Sequence, residues 1–389
     1  MFILVINCGS SSLKFSIIDP DTGKAHVQGL AERLNTPQAT LKTKFIEGVN
    51  YEVELPKAKH IDILDELLRE IGDLKIIGVG HRVVHGGEAF KDSVKIDESV
   101  VRGIEECSEL APLHNPAHLT GIRAAMQRFP DVPHVAVFDT AFHQTMPPRA
   151  FLYAVPYRFY EGLRVRRYGF HGTSHRYVAG QAAKILGKPL EELHLVTAHL
   201  GNGCSACAVR EGHSVDTTMG LTPLEGLVMG TRSGDVDPNL HDYLSRRIDY
   251  DLQGITNILN RESGLLGISG LSNDMRTLVQ AVNEGNARAD LAVDVFCYRL
   301  AKAILGLGAA LDRLDALIFT GGIGENSSPV RTRTLGHLRI LGAKTDEQLN
   351  AQNGASASGR ITTQDSGLLA LVVATNEELV IARETARFL

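Results

Sequence analysis

Phe2 to Lys14 reads FILVINCGSSSLK. The run Phe2 to Ile6 has the length and apolar content of a buried strand, and the Gly-Ser-Ser turn after it stops that strand at once. A strand ending in such a turn presents backbone N–H groups and hydroxyls at a sheet edge, where an anion such as phosphate can bind. Lys14 adds a point charge from the following run, LKFSII. Turns of this composition are common after strands, so the stretch alone fixes little.

The plan recurs about half a chain later. Leu195 to Gly212, LVTAHLGNGCSACAVREG, again runs strand, Gly-rich turn (Gly201, Asn202, Gly203), strand. Two such units predict a duplicated architecture with a nucleotide held between the copies. A length of 389 residues suits two domains better than one core. β-runs lie near residues 2 to 6, 13 to 18, 26 to 33 and 40 to 54, then a helix at Ile61 to Gly72, a strand at Lys75 to Val79 and another at Val132 to Asp139. The second half offers strands at 195 to 198 and 204 to 210, a helix at 287 to 312, and strands at Ala316 to Thr320 and Leu368 to Val373 before a last helix. This order predicts two α/β domains with mixed sheets, and the Pro-rich stretch Met146 to Pro156 is the expected hinge.

Composition narrows the function class. With 43% hydrophobic and 22% charged residues and a net charge of -5, the chain has no basic field for nucleic acid or acidic lipid. The N-terminus has no basic n-region, and the later apolar run Leu368 to Ala374 is far too short to span a bilayer. A cytoplasmic protein without nucleic-acid or membrane partners is expected. Cys204 and Cys207 form the one close pair among five cysteines, but three residues apart on a strand they point to opposite faces, which predicts a structural role.

Several short constellations carry the chemistry. Arg82 in HRVVHGG sits at a strand's carboxyl end, where open α/β sheets bind ligands, and Arg232 sits in the Gly-flanked loop MGTRSGD. Two such arginines can clamp a carboxylate or a phosphoryl group bidentately, or each can make an ordinary salt bridge. Asp139, at the end of the run Val135 to Phe138, can hold Mg2+, orient a nucleophile or cap the next segment. His171 and His175 have i, i+4 spacing, but Gly172 argues against a regular helix and no third ligand is near. The metal reading is therefore set aside, and His171 is kept as a donor to a phosphoryl oxygen. TGGIGEN, from Thr320, is neither a dinucleotide fingerprint nor a P-loop, and its glycines suit close approach to a planar group. Thr375-Asn376-Glu377-Glu378 again puts carboxylates at a strand's end.

NCGSSSLK, HRVVHGG, FDTAFH, YGFHGTSH, HLGNG, GTRSGD, GGIGEN and TNEE occur in this order over nearly the whole chain, and together they resemble the acetate/propionate kinase family. The resemblance implies two duplicated ribonuclease H-like (actin-like ATPase) domains with mixed sheets and an interdomain cleft. It implies an N-terminal domain of residues 1–145 joined by the C-terminal helix 378–389, and a nucleotide-binding domain of residues 146–377. It implies an Mg2+-dependent transfer between ATP and acetate, giving ADP and acetyl phosphate, with Mn2+ as a substitute metal and a homodimer as the working form. By position, Asn7 and Glu377 match the metal-associated residues; Ser10, Ser12 and Lys14 lie near the nucleotide phosphates. Arg82 matches the substrate arginine, with Asp139, His171 and Arg232 catalytic. His199, Leu200, Gly201, Asn202 and Gly203, then Asp274, Met275 and Arg276, then Gly322, Ile323, Gly324, Glu325 and Asn326 match nucleotide-contacting segments. Val84, Leu113, Phe170 and Pro223 match an apolar pocket for the acyl methyl group.

The residues lead to the same chemistry separately. A carboxylate is ionised at pH 7 and needs no strong base, so the barrier is electrostatic: an anion must approach a polyphosphate. Arginines, a lysine, a metal and a His donor are the groups that offset it. A sugar kinase would need a base and a polar pocket. A propionate kinase would differ in one pocket side chain, and an actin-like or chaperone-like protein would bind ATP without making an acyl phosphate.

Overall fold

The computed structural model describes every residue except Asp73 and Leu113. The chain divides into two compact units, Met1–Gln144 with Asn376–Leu389, and Thr145–Thr375. It therefore passes from one unit to the other twice, at 144/145 and at 375/376. The expected hinge, Met146 to Pro156, lies inside the second unit, where Met146 and Phe151 are buried.

The first unit holds β1 (Phe2–Cys8), β2 (Ser12–Ile18), β3 (Ala25–Glu32), β4 (Thr40–Phe45), β5 (Asn50–Glu54), β6 (Ile76–Val83), β7 (Val94–Lys95) and β8 (His134–Phe138). They form one sheet in the order β5-β4-β3-β2-β1-β6-β8-β7. Neighbours from β5 to β1 are antiparallel, whereas β1, β6 and β8 run parallel. The central β1 is covered on both faces, which is why its sequence is an unbroken apolar run, while β3 nearer the edge alternates buried and exposed. Helices α1 (His60–Ile71), α2 (Glu98–Glu106) and α3 (Asn115–Arg128) belong to this unit.

Strand periodicity sorts β6 into two faces. Val79 packs in the core with Ile63, Leu64 and Leu67 of α1, so Gly78 and Gly80 face the other way. There they meet the chain's last helix, numbered α9 (Glu377–Ala386): a Cβ on Gly80 would lie 2.4 Å from Thr385 Oγ1 and 2.6 Å from Ile381 Cγ2. Arg82 shares that face and so points toward the N-terminus of α9.

The second unit holds β9 (His194–Leu200), β10 (Cys204–Arg210), β11 (His213–Thr217), β12 (Ala316–Thr320) and β13 (Ala370–Val372), in the order β11-β10-β9-β12-β13. β9 to β11 form an antiparallel meander, and β9, β12 and β13 run parallel. This repeats β3-β2-β1-β6-β8 strand for strand, the duplication that the two strand-turn-strand stretches predict. Among its helices are α4 (Gly172–Leu186), α5 (Met275–Asn283), α6 (Ala287–Leu307) and α8 (Ser328–His337), with the short α7 (Gly321–Asn326) directly after β12.

Several elements depart from the sequence reading. The run 40 to 54 is a hairpin of two strands. β6 continues four residues past Val79 because its end is covered by α3 and α9, and β11, only five residues long, is a strand the sequence reading did not include. Gly172 opens a regular helix instead of breaking one. GGIGEN is a helical turn, not a flat loop; Gly321 enters it at φ +76 with the Leu200 carbonyl oxygen 2.8 Å from where a Cβ would stand, so only glycine fits. All five cysteines are buried, and burial pushes the Cys204 and Cys207 thiols up to about 12. Among the described residues, no helix is long and apolar enough to cross a membrane.

Candidate active site

The first unit holds a turn, an ion pair and a carboxylate oxygen unpartnered among the described residues. In the turn after β1, Gly9 N donates to Ser12 O at 2.8 Å, and His60 Nε2 is 2.9 Å from Gly9 O. Ser10 is exposed, Ser12 half-buried, and Asn7 pairs with Lys14 across β1 and β2. The half-exposed Lys14 is bound by Glu378, with Nζ 2.6 Å from Oε1, and Ser16 Oγ donates to the other oxygen at 2.5 Å. Arg82 grips Asp139 with both arms, Nε to Oδ1 at 3.0 Å and Nη2 to Oδ2 at 2.7 Å. This leaves Nη1 without a partner among the described residues. Burial opposes the Arg82 charge, but Asp139 and Glu377 outweigh it and raise its pKa. Burial raises the Asp139 carboxyl against the pull of Arg82; with both oxygens accepting, the group is a carboxylate. Glu377 Oε1 is buried and has no hydrogen-bond partner among the described residues.

On the opposite face of β6 lies a buried histidine cluster. His81 Nε2 and His134 Nδ1 are 3.0 Å apart, and His134 Nε2 is 2.9 Å from Phe129 O. His118, on α3, is buried, and neither ring nitrogen is bonded among the described residues. Burial lowers all three imidazoles, His118 to about 3.

The second unit contains a cavity of about 500 Å³ lined by residues from three segments: the turn after β9, the start of α5 with the residues before it, and α7 with the start of α8. Gly201, Asn202, Asp274, Met275, Arg276, Gly322, Ile323 and Asn326 all border it, so the three segments singled out from sequence meet in one place. Its walls also include Asn273, Val279, Ser327 and Pro329, which the sequence reading missed. Val279 was legible as the residue one turn beyond Met275 on α5. Asp274 caps α5 through Arg276 N at 2.8 Å, and its carboxyl is held below the usual range by Arg276. His199, Leu200, Gly203, Gly324 and Glu325 do not line the cavity. Glu325 instead folds back on its own helix, accepting from Gly321 N at 2.9 Å and Thr375 N at 3.1 Å. The fully buried Arg331, read from sequence as nothing in particular, donates to the carbonyls of Gly324 at 2.9 Å and Glu325 at 3.0 Å and so fixes the end of α7.

Beside this cavity wall, at Gly203, stand His171 and Arg232. A Cβ on Gly203 would lie 2.8 Å from Arg232 Nη2 and 3.5 Å from His171 Cε1, so glycine is what lets them approach the turn. Arg232 Nη1 donates to Pro223 O at 2.6 Å, and burial lowers its pKa. Among the described residues it has no carboxylate partner. His171 occupies a left-handed backbone position at the start of α4 and stacks on His199, with ring centroids 4.3 Å apart. Phe170 is buried and Pro223 half-buried in this unit; Val84 is buried in the first unit, and Leu113 lies outside the described residues.

The family described as "Acetokinase family" matches residues 2–383. An acetate kinase of Deinococcus radiodurans is 55% identical, with 99% of this chain and 98% of that protein covered. One of Stutzerimonas stutzeri is 53% identical, covering 100% and 98%. Among solved structures, a propionate kinase from Francisella tularensis superposes with a TM-score of 0.94 at 47% identity, and Porphyromonas gingivalis acetate kinase with 0.92 at 40%, each covering 99% of both chains. Matches that run through both units and every loop described above leave a single conclusion: the chain belongs to the acetokinase family.

Proposed function

We propose that the protein is a phosphotransferase that moves the γ-phosphoryl group of ATP to acetate, reversibly and in one in-line step. An acetate oxygen forms the new bond to phosphorus, the bond to the β,γ-bridging oxygen breaks, and ADP leaves with that electron pair. The observation that carries the reading is Arg232, a partly buried guanidinium with no carboxylate partner, packed beside His171 against a glycine turn. A cation left unpaired in such a place is a preformed site for an anion. The cavity supports the nucleotide part: apolar walls at Met275, Val279, Ile323 and Pro329 suit a base, and Gly201 and Gly322 admit close backbone approach.

In this reading Asp139 is not a base. Both its oxygens are taken by Arg82, so it orients that arginine and leaves Nη1 for the substrate carboxylate. His171 and Arg232 follow charge onto the equatorial phosphoryl oxygens. The orphaned Glu377 Oε1 and the nearby Asp139 charge fit a divalent cation, with Asn7 as a neutral oxygen ligand. No cluster of three or more His, Cys, Asp or Glu able to hold a metal exists among the described residues. Mg2+ keeps waters and takes phosphate oxygens, and it would neutralise charge on the nucleotide. Glu377→Gln is expected to raise the Mg2+ concentration for half-maximal rate more than the acetate KM. An unchanged Mg2+ dependence removes Glu377 from metal binding.

Trapping acyl phosphate with hydroxylamine in the presence of ATP, Mg2+ and acetate tests the reaction; ATP binding without trapped product would favour an actin-like role. We place the enzyme in the cytoplasm as a homodimer, which sedimentation velocity checks. The Francisella relative is a propionate kinase, so acceptor size needs its own test. Val84, buried and β-branched, is stiff at χ1 and is assigned here as the gate that favours acetate. Val84→Ala is expected to lower the propionate KM by a factor worth about 1 to 3 kcal/mol, with kcat hardly moved. If kcat/KM for the two acids keeps the same ratio, Val84 is not the gate.

A further inference from the structure

His171 is supported by hydroxyls that the reading of its role leaves unexplained. Its Nδ1 is 2.9 Å from Ser205 Oγ, and the same oxygen is 2.7 Å from Nε2 of His175. His175 Nδ1 is in turn 2.7 Å from Thr197 Oγ1. Thr197 and His199 lie two apart on β9, and Ser205 pairs with His199 from β10, so all three side chains share the sheet face that the start of α4 covers. Thr197, Ser205 and His175 are all fully buried.

The two hydroxyls have one proton each, so the chain can be polarised in two directions. In one, Thr197 donates to His175 Nδ1, His175 Nε2–H donates to Ser205, and Ser205 donates to His171 Nδ1. The proton of neutral His171 is then on Nε2. In the other, every bond reverses, the Thr197 hydroxyl has no acceptor among the described residues, and His171 offers a lone pair at Nε2. Leaving a buried hydroxyl without an acceptor is unfavourable, which selects the first direction. We infer that Ser205, backed by His175 and Thr197, is a positioning residue that holds His171 in its Nε2–H tautomer, ready to donate to an anionic oxygen. The inference rests on the reading of His171 as a donor to the transferring phosphoryl group.

The tautomer is directly observable. Enzyme labelled with 15N-histidine and recorded at pH 8 by long-range 1H–15N correlation gives different patterns for the two neutral forms, and His171 is assigned by the signals lost in His171→Gln. The expected result is a proton on Nε2 of His171 in the wild type. In Ser205→Ala the pattern becomes a mixture of tautomers, and kcat falls about 10- to 100-fold with the KM for acetate and ATP unchanged. Thr197→Val, which keeps the shape and removes the terminal donor, shifts the tautomer in the same sense. A wild-type His171 protonated on Nδ1, or an Nε2–H pattern untouched in both variants, overturns the inference. The wild-type spectrum and Thr197→Val decide it even if Ser205→Ala does not fold. Full turnover in His171→Gln would instead sink the role of His171 itself, a separate failure from a wrong tautomer.

Discussion

Arg232→Ala is expected to lower kcat by about two to three orders of magnitude, the scale for losing one preorganised donor to a developing charge, while leaving stability nearly unchanged. The guanidinium makes one hydrogen bond, to a carbonyl, and no ion pair among the described residues, so its removal strands no buried charge. Arg82→Ala differs in this respect. It leaves the buried Asp139 carboxylate beside Glu377 with its bidentate partner gone, and breaking such a pair from one side costs about 3 to 5 kcal/mol. Steady-state kinetics and urea unfolding on both variants separate the cases: catalysis is lost in each, stability only in Arg82→Ala. Near-wild-type turnover of folded Arg232→Ala would exclude it from the mechanism.

The second large effect is acid sensitivity of the first unit. In an unfolded chain His81, His118 and His134 would each take up a proton near pH 6.5. In the folded protein burial holds all three lower, His118 to about 3. Over that window the unfolded state holds more protons, so stability present in full above about pH 6.5 is lost as the pH falls. An imidazole that stays neutral in the folded state contributes up to about 1.4 kcal/mol per pH unit, and His118, held to about 3, does so as the pH falls below about 6.5. Urea midpoints at pH 8, 6.5, 5.5 and 4.5 measure this. His118 has no hydrogen bond to lose, so His118→Leu should fold and flatten the slope by about one proton. An equal slope in the variant would mean that His118 is not the resisting group.

What could be read from the sequence followed the length of the signal. β1 and β9 are buried on both faces, so their apolar runs and the turns after them stood out, and with them the duplication. The segments around the cavity of the second unit were legible because glycines and short polar clusters mark them. Pairings across the fold were not. Nothing in TNEE distinguishes Glu378, bound to Lys14, from Glu377, with an oxygen left bare. Arg331 looks like any basic residue of a surface helix until α8 and the segment after it enclose it. Ser205 and Thr197 are unremarkable strand residues, and only the register of β9 against β10 puts them behind a histidine. Gly172 was misjudged because a glycine at a helix's first position costs less than one in its interior.

The packing of α9 on β6 has a consequence for biosynthesis. The glycines at 78 and 80 are shaped to receive side chains from the last helix, which leaves the ribosome only after the whole of the second unit has been made. Until then the nascent first sheet has one face uncovered, with two glycines, at 78 and 80, on that face of a central strand and an Arg82 whose electrostatic neighbour Glu377 has not yet been synthesised. The second unit, being one continuous segment, has no such wait. Folding during translation therefore finishes in the reverse of chain order, and the first domain to emerge is the last to be completed.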